Sequence, residues 1–219
     1  SLEQYRDVDF GEKLQLDHGR ITVRLQRAGH ILGAASILVT TPDCSLFFSG
    51  DVGRPHDPLM VPPQSPPVAD YYIVESTYGA RLHDPRDVME QIADTICRTA
   101  ARGGTILVPA FAVGRTQSLL YYLATLRQKQ KIPDMPIYLD SPMAINATDL
   151  FCKYDKTHTH NDVAHFCNIA SYTRTREESK KLDANRMPSI IIAASGMLTG
   201  GRILHHLKHF LGDARHTVM

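Results

Sequence analysis

From Asp84 to the last residue, short apolar runs alternate with stretches of helical period, and no other feature constrains the fold as strongly. TILVPAF, PIYLD and SIIIAAS read as strands; RTQSLLYYLATLRQK, PMAINATDLFCKY and GGRILHHLKHFLG read as helices. Strands that alternate with helices argue for a parallel α/β layer. A further helix is predicted in RDVMEQIADTICRTAA, opened by Asp84 as N-cap with Pro85 at the first helical position and stopped by Gly103 and Gly104. HTVM opens one more strand. KTHTHNDVAHF through TRTREESKKLD is the most polar region and has no settled reading.

The chain before Asp84 is strand-rich instead. ITVRLQRA alternates apolar and polar residues as a half-buried strand does, and ASILVTT and SLFFSG follow on either side of the turn-forming TPDC. RPHDPLMVPPQSPPVAD is too dense in proline for regular structure and is expected to run as an extended connection. YYIVEST reads as a buried strand that ends in the glycine turn YGA. The change of pattern places a domain boundary between a strand-rich part, 1–83, and an α/β part, 84–219.

Composition excludes several classes of function. With 43% hydrophobic residues, 21% charged residues and a net charge of +1, the 219-residue chain reads as a globular protein, neither disordered nor membrane-embedded. It has no overall basic footprint, so any nucleic-acid surface has to be a local cluster of Lys and Arg. No segment approaches the apolar length that crosses a bilayer. Cys44, Cys97, Cys152 and Cys167 are widely spaced with no C-x-x-C pair, and no signal-like run opens the chain. Reduced thiols in a cytoplasmic protein are therefore expected.

Several residues are placed for chemistry. His30 follows Gly29 where an apolar run ends, a position from which an imidazole reaches a metal or simply bonds a backbone carbonyl. Asp51 closes FFSGD, where a carboxylate either caps a turn or binds a cation. Glu75 closes YYIVE, and a carboxylate at the end of a buried strand needs a cation, a histidine N–H, backbone donors, or the hydroxyls of Ser76, Thr77 or Tyr78. Arg115 in VGRTQ, and Ser195, Gly196 and Arg202 in ASGMLTGGR, fall at strand-to-helix junctions, where backbone N–H groups and a guanidinium suit a phosphate and where the same residues are equally an ordinary helix start. Neither stretch fits G-x-G-x-x-G or the P-loop pattern. His205 and His209 are four apart and could share a cation, but the glutamate of H-E-x-x-H is missing, so a solvated or partner-facing helix side is the preferred reading over a metal site; His158, His160 and His165, in the polar region, are weighed the same way.

In this order and at these intervals, AGHILGAA, FFSGDVGR, VESTYGARLH, LVPAFAVGRTQSLLYYL, YLDSPMA and IIAASGMLTGGRILHHL closely resemble the β-CASP branch of the metallo-β-lactamase superfamily. That branch comprises RNA-processing nucleases, among them ribonuclease J and the endonuclease subunit of the pre-mRNA cleavage and polyadenylation factor. The match is nearest to bacterial and archaeal members and runs from about Val23 onward. It implies partial metallo-β-lactamase strands in 1–83, followed by an inserted β-CASP domain in 84–219 with a mainly parallel sheet flanked by helices and truncated at its C-terminal end. It also implies that His30 is a zinc ligand, that Asp51 bridges two zinc ions, and that Glu75 orients a catalytic histidine from a later motif. Two zinc ions make hydroxide available at neutral pH and stabilise charge on the attacked phosphate, which suits RNA hydrolysis. Arg115, Ser195, Gly196 and Arg202 become candidate contacts to RNA, expected to be single-stranded.

The departures carry expectations of their own. The family's main ligand block, H-x-H-x-D-H, occurs nowhere in the sequence, and its two later motifs are missing as well. Only His30 and Asp51 of the usual ligand set are present, too few for a dizinc centre. The chain is thus expected to be an internal fragment of a longer zinc-dependent ribonuclease, inactive by itself, with RNA as partner and a homodimer as one candidate assembly. The alternative is a noncatalytic RNA-binding or scaffold subunit of an RNA-processing complex.

Overall fold

The structure, a computed structural model, describes residues 2–82, 84–154 and 164–219. These fall into two compact units, one running to Leu82 and one beginning at Asp84.

The first unit is a single sheet of β1 (Lys13–Leu16), β2 (Ile21–Arg27), β3 (Ala35–Thr40), β4 (Ser45–Phe48) and β5 (Tyr71–Ile73), in that spatial order. β1 to β4 pair antiparallel, each with the next. The β3–β4 turn is closed by Thr41, whose hydroxyl donates to the Cys44 carbonyl at 3.0 Å and accepts from the Cys44 N–H at 3.1 Å. β5 instead runs parallel to β4, which requires the chain to cross back first. The proline-dense stretch makes that return. It is anchored by Leu59 and Met60, both buried, whose N–H groups donate to the Asp57 carboxylate at 2.9 and 2.8 Å.

β5 corrects one expectation. Its residues are not buried: Tyr71 is 61% exposed and Val74, just beyond it, 65%. Among the described residues β5 is the edge strand of its sheet, with no strand neighbour on one side of its backbone, and the apolar run reflects its residues' preference for strand rather than burial.

The second unit is an all-parallel sheet of β6 (Ile106–Pro109), β7 (Ile137–Asp140), β8 (Ser171–Tyr172), β9 (Ile190–Ala193) and β10 (Thr217–Val218), ordered β10-β6-β9-β7-β8. The helices are α1 (Val88–Ala101), α2 (Arg115–Gln128), α3 (Pro142–Lys153), α4 (Ala164–Cys167), α5 (Arg176–Ala184) and α6 (Ile203–Phe210). All four residues of the central β9, Ile190 to Ala193, are buried, as a strand covered on both faces requires. One face packs Leu107, Ile191 and Ala193 against Leu182 of α5 and Ile203, Leu207 and Phe210 of α6. α1 to α4 pack against one another as a second group, with α3 reaching β7.

Local chemistry moves some boundaries. α1 is capped by Asp87, whose side chain accepts from the Met89 N–H at 2.8 Å, so the helix opens three residues after the predicted Asp84. Asp84 is engaged elsewhere: it accepts from the backbone N–H and the guanidinium of Arg86, which holds its carboxyl down at about 2. The unsettled polar region contains α5, opened by a reciprocal cap in which Thr175 accepts from the Glu178 N–H and Glu178 accepts from the Thr175 N–H. Cys152 of α3 and Cys167 of α4 are joined in a disulfide, against the expectation of reduced thiols, because the two helices pack together and bring their Cα atoms to 6.3 Å. Cys44 and Cys97 are free thiols.

Candidate functional site

In the first unit, β2, β4 and β5 all run in one direction, so His30, Asp51 and Glu75 follow strand ends on the same edge of the sheet. All three side chains are exposed. Short bonds fasten these loops to one another. The Gly53 N–H donates to the Ala28 carbonyl at 2.7 Å, which ties the segment after Asp51 to the segment before His30. The Val52 N–H donates to Glu75 Oε1 at 2.6 Å, and the Thr77 hydroxyl donates to Glu75 Oε2 at 2.8 Å. These bonds hold the Glu75 carboxyl below the usual glutamate range, the Val52 N–H contributing most and the nearby His30 least. Ser49 completes the arrangement: its hydroxyl accepts from the Glu75 N–H at 3.0 Å, and its carbonyl accepts from the buried Ser36 hydroxyl at 2.7 Å. Glu75 thus finds the backbone donor and the Thr77 hydroxyl that were two of its expected options.

In the second unit, β6 and β9 are parallel neighbours, and the chain leaves both at the same end. Beyond β6 it reaches exposed Arg115 at the start of α2; beyond β9 it forms the loop of Ser195 and Gly196. The two loops touch. A methyl group on Gly196 would lie 2.9 Å from the Phe111 backbone nitrogen, so only glycine allows this approach. Among the described residues, the Ser195 hydroxyl oxygen is enclosed without a hydrogen-bond partner, and no side chain caps the N-terminus of α2. Such sites, at the carboxyl ends of parallel strands, suit an anionic ligand.

Arg202 is placed differently from Arg115. Its guanidinium turns inward, donating to Asp140 Oδ1 at 2.5 Å and to the carbonyls of Thr173 and Arg174 at 3.1 and 2.9 Å. Its donors serve the fold. His205 and His209 lie exposed on α6, and His165 sits on α4 with its ring edge-on to Tyr121 at 6.3 Å. His158 and His160 lie outside the described residues.

Residues 116–219 match the family model described as the Beta-Casp domain. The whole chain is 36% identical to "Ribonuclease TTHA0252" of Thermus thermophilus, covering 52% of that protein. The chain carries a Beta-Casp domain. Over 95% of its length it is 31% identical to an "RNase J-like protein" of Methanocaldococcus jannaschii, covering 50% of it. It is 28% identical throughout to "Cleavage and polyadenylation specificity factor subunit 3" of Dictyostelium discoideum, covering 29% of it. The chain therefore spans about half the length of the first two relatives.

Among the described residues, no three His, Cys, Asp or Glu side chains gather into a group that could hold a metal ion. His30 and Asp51 offer the imidazole and carboxylate that zinc accepts, but a zinc site takes three or four protein ligands, so these two alone do not fit a dizinc centre. Among the described residues, no helix is long and apolar enough to cross a membrane.

Sequence reasoning missed a buried polar group in the β-CASP domain. Asp140 at the end of β7 and His206 in α6 are both 0% exposed, and Asp140 Oδ2 meets His206 Nε2 at 2.8 Å. The Ser179 hydroxyl donates to the same oxygen at 2.5 Å, and His206 Nδ1 meets Asp183 Oδ1 at 2.6 Å. A signal was present. Asp140 closes the apolar run PIYLD just as Glu75 closes YYIVE, and His206 stands four residues after Arg202.

Proposed function

We propose that the protein to which this chain belongs is a zinc-dependent hydrolase of RNA phosphodiester bonds, and that this chain supplies two of the zinc ligands, His30 and Asp51. The observation that carries this reading is the fastening of the loops after β2, β4 and β5 through the Gly53–Ala28 and Val52–Glu75 bonds, which gathers the three family residues on one sheet edge. The names of the first two relatives, a ribonuclease and an RNase J-like protein, supply the substrate class. In the β-CASP domain, Arg115 and the Ser195–Gly196 loop contact the phosphates of single-stranded RNA. Two donors hold zinc poorly, so the chain by itself binds RNA without cutting it.

The test uses the full-length protein and the chain side by side on a labelled single-stranded RNA. The expected result is cleavage by the full-length protein that a chelator stops and that His30→Ala or Asp51→Ala reduces by at least about a hundredfold, with none by the chain. Cleavage that survives both substitutions and the chelator overturns the reading.

The small donor set among the described residues also favours a second reading, a noncatalytic RNA-binding or scaffold subunit. RNA binding by the full-length protein without cleavage, at saturating zinc, decides for it.

A further inference from the structure

We propose that Asp140, His206 and Asp183 form a positioning clamp that fixes the 194–202 loop, and through it the surface offered to RNA phosphate. The inference rests on the reading that Ser195 and Gly196 contact RNA.

The loop is tied at both ends to one residue, Asp140, at its start through the backbone and at its end through the carboxylate. It begins beyond Ala193, which pairs with Asp140 across β9 and β7, and it ends at Arg202, whose guanidinium returns to Asp140 Oδ1 at 2.5 Å. Between these ends the Ser195 N–H donates to the Gly200 carbonyl and the Ile203 N–H to the Ala194 carbonyl, both at 3.1 Å. The backbone of the loop is thus closed on itself, and its orientation depends on what holds Arg202.

His206 makes that grip conditional on a proton. One helical turn after Arg202, it takes the other oxygen of Asp140, while its second ring nitrogen faces Asp183. A neutral imidazole has one N–H and one lone pair, so only the imidazolium donates to both carboxylates. Around the ring stand Asp140 from β7, Asp183 and Ser179 from α5, and Arg202 at the start of α6. Burial alone pushes His206 down, and the bonds to Asp140 and Asp183 outweigh it and leave it raised. When the proton leaves, one ring lone pair confronts a carboxylate, at Nε2 that of Asp140 itself and at Nδ1 that of Asp183, whose repulsion shifts the ring away; by either route the hold on Asp140 loosens, and the loop ending at Arg202 loses its fixed position.

The experiment measures affinity of the chain for a fluorescein-labelled single-stranded RNA by anisotropy, between pH 6 and 9 at fixed salt. The wild-type chain is expected to lose affinity about five- to tenfold across an alkaline break, the effect of one or two hydrogen bonds. His206→Gln is expected to be weakened already at pH 6 and to show no break. Asp183→Asn keeps His206 but removes one carboxylate, so the break moves to lower pH, a displacement that a merely structural loss would not produce. Because Asp183 is partly exposed, this variant keeps the test available if His206→Gln fails to fold.

Arg115→Gln and Ser195→Ala separate the two levels of argument. If both weaken RNA binding while the Asp183→Asn break coincides with that of the wild type, the clamp is overturned and the RNA surface stands. If neither changes the affinity, the RNA surface is wrong and the clamp falls with it.

Discussion

Gly53 lies backbone against backbone on Gly29: a methyl group built on Gly53 would come 1.9 Å from the Gly29 carbonyl oxygen. The contact brings the segment after Asp51 against the segment before His30, so it sets where both side chains stand. Gly53→Ala is therefore expected to cost about 2 kcal/mol or more, the scale of an overpacked core, because both neighbouring atoms belong to backbone. Gly212→Ala is the control, since nothing lies within 4 Å of a methyl group there. Urea midpoints of the two variants check this, the first lowered and the second unchanged.

Stability should decline on the alkaline side through His206. Its folded-state pKa is raised, so its contribution is full below about 6.5, the unfolded value, and is lost as pH rises through the folded one. Asp140 works on the acid side. Burial raises it, but the bonds from His206, Ser179 and Arg202 leave it lowered, so its contribution holds above the unfolded value near 3.8 and is lost as pH falls through the folded one. Urea unfolding followed by circular dichroism should show a plateau between about pH 4 and 6.5, with the alkaline decline absent in His206→Gln. Asp140→Asn should lower stability by about 3 kcal/mol within the plateau, the scale of breaking a buried ion pair.

The start of α1 distinguishes two aspartates three residues apart. Asp87→Ala removes the acceptor for the Met89 N–H and is expected to cost about 1 kcal/mol, the usual value of an N-cap. Asp84→Ala removes an exposed bond to Arg86 and should leave the urea midpoint where it was.

One disulfide per chain is expected, between Cys152 and Cys167. In a chain-entropy account, closing a loop of this length constrains the unfolded chain by about 3 kcal/mol. Alkylation of the unfolded, unreduced chain should label Cys44 and Cys97 alone, and reduction should lower the thermal midpoint. Labelling at all four cysteines without reductant contradicts the pairing.

The alternation of apolar and helical segments was enough to read the parallel sheet, because residues such as Ile190 to Ile192 are apolar on both faces and have no other place to go. Glu75 was legible as a carboxylate in need of donors. Its burial was misread, since YYIVE has the same composition whether it sits inside a sheet or, as here, along its edge. Helix starts depend on one side chain choosing among nearby N–H groups, and Asp84 and Asp87 offer the same chemistry within one turn. The clamp stayed hidden for a different reason. Asp140, Asp183 and His206 lie far apart in sequence, and only the packing of α5 and α6 beside β7 brings them together.

The most direct test of the account is the zinc content of the purified chain after exhaustive dialysis, by elemental mass analysis. With His30 and Asp51 as its only family ligands, the chain should retain well below about one zinc per molecule, because a stable site needs three or four protein donors. A ratio near two would contradict the account, since it would mean that this chain completes a dizinc centre by itself.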